Sequence, residues 1–138
     1  MKQFEAQTTI AATPEKVWSV LIDTENWPQW DPTCERIEGN VVLGEKVKAF
    51  SKLSPGRAFP VKVVELVPNE QMTWQGGMPL GLFKGVRSFT LKEDGDGTAF
   101  TVRETFSGPM LAVIGGTIPD LTEPFAQFVA GLKNRSEG

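Results

Sequence analysis

The segment Asp94-Gly95-Asp96-Gly97 constrains this chain more than any other, because two long alternating runs meet at it with almost no connecting residues. Glycine tolerates positive φ, so the segment suits a two-residue hairpin turn, and a turn that short sets the register of both flanking strands. Counting outward pairs Leu91 with Phe100, Phe89 with Val102 and Arg87 with Glu104. All six side chains then share one face of the sheet.

The same alternation recurs upstream. Gln3 to Ala12 reads as an opening strand with Phe4, Ala6, Thr8 and Ile10 on one face. Further strands are predicted over Cys34 to Glu38, Glu45 to Leu53, Arg57 to Val67, Gln71 to Gln75, Lys84 to Glu93 and Thr98 to Ser107. Their short connections, rich in Gly, Pro and Asn, favour antiparallel hairpins over crossover helices. In the third strand Val47, Ala49, Ser51 and Leu53 face inward, which strands Phe50 among Lys46, Lys48 and Lys52. The fourth does not alternate cleanly, and either a bulge near Val63-Val64 or burial of both faces there is expected.

Helical signals bracket the strands. Thr13-Pro14-Glu15 supplies an N-cap, a proline at the first helical position and an acid in the first turn. Val17, Val20 and Leu21 give this helix its core face, with Trp18 beside it. Trp27-Pro28-Gln29-Trp30-Asp31-Pro32 suits one helical turn closed by the second proline. Toward the end, Leu121, Phe125, Phe128 and Leu132 form an apolar stripe. Gly115-Gly116, Pro119 and Pro124 interrupt the helical pattern from Pro109, so a broken or kinked element is expected.

Composition narrows the chemistry. At 138 residues and 40% hydrophobic, one domain over residues 1–138 is expected. A net charge of −3 without a basic stripe argues against nucleic acid. The N-terminus lacks the apolar core of a signal peptide, and nothing approaches the roughly 20 apolar residues of a membrane span. Cytoplasmic residence is therefore the expectation. The chain has no His and no Tyr, which removes the commonest general base and metal ligand and a phenol donor. Cys34, the sole cysteine, has no His to activate it and reads as a packed residue. With no phosphate-binding loop, dinucleotide fingerprint, nucleophile elbow or metal-spaced cluster, neither cofactor nor metal is implied.

The order strand, helix, short helix, six strands, long helix resembles the START-like (SRPBCC) superfamily of helix-grip proteins, in particular its polyketide cyclase/dehydrase and lipid-transport branch. Ala12 to Trp18, Trp27 to Pro32, the strand end at Trp74, Arg87 to Leu91 and Gly97 to Gly108 carry the likeness, which covers essentially the whole chain. It implies an α+β fold in which a curved seven-stranded antiparallel sheet wraps a long, kinked C-terminal helix. Two short helices lie between strands 1 and 2, and a cavity opens near the tryptophan segment.

Within that fold the expected ligand-binding residues are Trp27, Trp30, Trp74, Met78, Phe83, Arg87, Phe89, Val102, Glu104, Phe106, Met110, Ile118 and Phe125. The Gly76-to-Phe83 segment is composed like a gate, and Met78, Leu80, Leu82, Met110, Ile114 and Ile118 come from the segments most able to act as a lid or mouth. Arg87 and Glu104 admit two readings: a solvated pair at a sheet edge, or a charged pair in a cavity wall. Three functions stay open: a binder of a small hydrophobic molecule, such as a lipid, polyketide or aromatic metabolite; a cyclase or dehydratase working through Arg87 and Glu104; and a co-chaperone-like module using the Lys46, Lys48, Phe50, Lys52 face. Oligomeric state is left open by the sequence.

Overall fold

The computed structural model describes residues 1–138. Strand β1 (Lys2–Ile10) leads into helix α1 (Pro14–Leu21) and a 3-10 segment (Thr24–Gln29). Six strands follow: β2 (Cys34–Glu38), β3 (Lys46–Ser51), β4 (Ala58–Val67), β5 (Gln71–Gly77), β6 (Lys84–Asp94) and β7 (Gly97–Ser107). Helix α2 (Leu111–Ile114), a 3-10 turn (Gly115–Thr117) and helix α3 (Thr122–Glu137) complete the chain. No helix is long and apolar enough to cross a membrane.

All seven strands form one antiparallel sheet in the order β1-β7-β6-β5-β4-β3-β2. The β6–β7 turn has Gly95 at φ 61° and Asp94 paired with Gly97. From it the register runs Leu91–Phe100, Phe89–Val102 and Arg87–Glu104. In β4 the register shifts between Val63 and Glu65, so Val64 is the bulged residue, half-exposed while Val63 is fully buried.

Helix α1 begins where its cap dictates, with Thr13 Oγ1 accepting from the Lys16 amide at 3.2 Å. Trp18 is buried in the core rather than beside it. The tryptophan segment differs from a turn closed by the second proline. Its 3-10 turns start at Thr24 and contain Pro28, and the Asp31 amide bonds to the Trp27 carbonyl at 2.8 Å.

The core joins that segment to the sheet and α3. Trp27 stacks on Trp74 at 5.3 Å between ring centres and meets Phe128 edge-on at 5.2 Å. Its indole N–H donates to the Leu21 carbonyl at 2.9 Å. Phe125, Phe128 and Leu132 are buried along the α3 stripe, as is Leu121 at its cap. Each such side chain contributes about 1.5–3 kcal/mol relative to solvent exposure. Lys133 Nζ donates to the Thr9 carbonyl, and the Ala11 amide to the Glu137 carboxylate, both at 2.7 Å, tying the C-terminal end of α3 to the exit of β1.

The C-terminal region is broken as its prolines and glycines require. Only Thr122–Glu137 is continuous helix, with Pro124 in its first turn. An α3 of 16 residues covers part of a seven-stranded inner face. Part of the remainder faces Ile114, Thr117, Ile118, Pro119 and Leu121 of the irregular strap 111–121.

Candidate functional site

Between that strap, the start of α3 and the uncovered sheet lies a recess of about 510 Å³. Its sheet wall runs from Ile37 and Ala49 through Val61 and Trp74 to Arg87, Val102, Glu104 and Phe106. Ile114, Ile118, Leu121, Phe125 and Phe128 oppose it. Two glycines paired across β5 and β6, Gly76 and Gly85, put no side chain into this wall. A Cβ on Gly76 would sit 3.0 Å from the Pro60 carbonyl oxygen, and one on Gly85 would sit 3.3 Å from the Phe106 ring. Part of the recess therefore exists because these positions are empty.

Ten of the residues expected from sequence line this space: Trp27, Trp74, Met78, Phe83, Arg87, Val102, Glu104, Phe106, Ile118 and Phe125. Three do not. Phe89 is wholly buried among Trp27, Trp74 and Phe128 and is core. Trp30 turns away, its ring 5.1 Å from Phe128, and borders a separate crevice with Gln29, Gly131, Asn134 and Arg135. Met110 is held at the start of α2, its amide donating to the Leu82 carbonyl at 2.9 Å.

That same bond pins one end of the segment expected to act as a gate, and the Met78 amide closes the other by donating to the Phe83 carbonyl at 2.8 Å. Met78, Phe83 and Ile114 face the recess, while Leu80 points outward, 97% exposed at φ 61°. That conformation costs a leucine about 1–2 kcal/mol.

Arg87 and Glu104 form a charge-assisted pair in the wall, with Nε to Oε1 at 3.0 Å and Nη2 to Oε2 at 3.5 Å. Their side chains are only 28% and 14% exposed, which sets aside the solvated-edge reading. The guanidinium also lies 5.0 Å from the centre of the Phe125 ring. Phe50 borders the recess and is covered by the Arg36 guanidinium at 3.7 Å, so the lysine-bearing strand does not present a bare ring.

A buried carboxyl of the wall escaped the sequence reading. Asp31, 5% exposed, accepts from the Thr33 amide at 3.0 Å and the Thr33 hydroxyl at 2.9 Å, both on Oδ1. Burial pushes its carboxyl above the usual carboxylate range, opposed by those bonds and by the charge of Arg87. Cys34, three residues on and also in the wall, has its thiol pushed up to about 12 by burial first and by Asp31 second. Burial of this kind disfavours the thiolate that a nucleophile needs. The Trp74 indole N–H is buried without an acceptor. Asp31 carries a legible signal in hindsight, an Asp-Pro-Thr sequence after a tryptophan turn, which fits a side chain bonding two residues ahead.

A seven-stranded grip on a C-terminal helix, with a recess under the strap, defines the START-like helix-grip class. A solved START superfamily protein from Mycobacterium smegmatis is similar at 19% identity, covering 98% of this chain and 97% of that one, with a TM-score of 0.70. The Aha1 dimer from Colwellia psychrerythraea is similar at 24% identity, 99% and 97% coverage and a TM-score of 0.73. The di-domain ARO/CYC BexL of the BE-7585A biosynthetic pathway is similar at 14% identity, 99% and 47% coverage and a TM-score of 0.71. These likenesses establish the fold. No curated protein sequence matches the chain. The chain belongs to the polyketide cyclase / dehydrase and lipid transport family, whose model matches residues 1–137.

Proposed function

We propose that this protein binds a small, mainly apolar molecule in the recess between its sheet and α3. The observation that carries the reading is the recess itself. At about 510 Å³, with aromatic and aliphatic walls and a few polar groups, it has the size and lining usual for small-molecule sites. The family's description and the ARO/CYC likeness agree with it.

A cyclase or dehydratase would use the same space. The specific observation in its favour is Asp31, a buried carboxyl raised toward the range in which proton transfer is efficient, within electrostatic reach of Arg87. Asp31 is a better candidate for moving a proton than Glu104, which is engaged with the guanidinium.

Native mass spectrometry of gently purified protein, followed by organic extraction and re-incubation of the extract with protein, tests both readings. Binding predicts a co-purifying apolar species that returns unchanged; cyclase or dehydratase activity predicts its return with a new ring or with the mass of water lost. A protein that is empty in every preparation and takes up no apolar molecule from an added panel refutes the proposal.

A further inference from the structure

The rim of the recess carries a cation without an anionic partner. Ser54-Pro55-Gly56-Arg57 joins β3 to β4 as a tight turn, with Gly56 at φ 77° and the Arg57 amide donating to the Ser54 carbonyl at 3.2 Å. Ser54 and Arg57, at the two ends of this turn, both line the recess. Arg57 is exposed, its guanidinium lies 5.3 Å from the centre of the Phe59 ring, and it takes part in none of the protein's ion pairs. Leu53, Phe59 and Met78, which also line the recess, leave apolar surface open to solvent.

The other charges of the wall are answered among themselves. Arg87 is engaged by Glu104 through two nitrogens. Asp31 accepts from Thr33, and the cations acting on it are Arg87 and Lys52. No further acid lines the recess. Three stretches that supply its lining, Lys46 to Val64, Gln71 to Lys92 and Thr105 to Pro119, contain no Asp or Glu. Charge of one sign around a low-dielectric opening draws in the opposite charge. An anionic head at the rim keeps part of its water and so avoids the cost of full burial, while an apolar body enters the recess. A carboxylate in particular matches the planar fork of a guanidinium.

We propose, resting on the binding reading above, that the recess takes apolar carboxylates, with the carboxylate on Arg57 at the rim and the apolar body inside.

The test titrates the intact protein by calorimetry, at neutral pH and low salt, with three probes that share one apolar body: 2-naphthoate, naphthalene and 2-naphthylmethylammonium. The inference expects 2-naphthoate to bind about fivefold or more tightly than naphthalene, with the ammonium weaker than either, and added salt to narrow the differences. It expects Arg57→Gln to abolish the preference and Arg57→Lys to keep part of it. Lys92→Gln, near the β6–β7 turn at the other end of the sheet, is expected to keep all of it. Equal binding of the three, or tighter binding of the ammonium, overturns the inference while leaving the binding reading standing. So does a preference for 2-naphthoate that survives Arg57→Gln. Failure of every probe to bind tells against both. The wild-type comparison needs no variant, so a poorly folding Arg57→Gln does not remove the test.

Discussion

At Asp31 a carboxyl group sits in an apolar wall with two donors to hold it, both from Thr33. Because burial raises its pKa, the folded chain retains the Asp31 proton to higher pH than the unfolded chain does. The stability linked to this group is fully present below the unfolded carboxyl's pKa and is lost as pH rises through the folded value. Asparagine keeps an oxygen for the Thr33 bonds and carries no charge. Asp31→Asn is therefore expected to be more stable than wild type at neutral pH, with the difference shrinking as pH falls into the acid range. Urea midpoints for both proteins across that range check this, and a variant less stable than wild type at neutral pH would sink it. Arg87 and Glu104 were legible from sequence because a two-residue turn leaves one register available. For Asp31 the Asp-Pro-Thr sequence encodes the bonds to Thr33 but not its place in the wall, which depends on how the tryptophan segment docks on α3 and the sheet. Phe89 was assigned to the wall because alternation says which face a ring occupies, while packing decides whether α3 covers it; Trp30 was assigned from the cavity that the resemblance implies near its turn.

Helix α3 shows a second contact that spacing alone does not reveal. Gly131 lies where α3 crosses the tryptophan segment, and a Cβ there would collide with the Trp30 carbonyl oxygen. Replacing a helical glycine by alanine ordinarily stabilises by up to about 1 kcal/mol. Here the collision is with backbone, which yields little, and overpacking of that kind costs about 1–3 kcal/mol. The second effect wins, so Gly131→Ala is expected to lower stability by about 1–2 kcal/mol net, read as a reduced urea midpoint with unchanged slope. A raised midpoint would mean that the helix and the Trp30 carbonyl are not in contact. At this scale most of the fold was legible: the Thr13 cap, the β6–β7 hairpin, the Val64 bulge and the broken C-terminal region each follow from local chemistry. The strap 111–121 was foreseen as a break in a helix. That it roofs a recess follows from the sheet's breadth exceeding the length of α3.

For the whole molecule, sheet and helix enclose more space than their side chains fill. Gly76 and Gly85 remove volume from the wall, and the two prolines and two glycines between Gly115 and Pro124 keep α3 from extending over it. The outer face offers less: Phe50 lies under Arg36 and borders the recess, and Lys46, Lys48 and Lys52 are exposed. The central claim is that the space is a binding site, and methyl-resolved nuclear magnetic resonance during titration with naphthalene tests it most directly. The account predicts saturable shifts at Val61, Val102 and Ile118, which line the recess, with Val64 and Val67, exposed on β4, unmoved. Shifts confined to Val64 and Val67, or none at saturating probe, would contradict it.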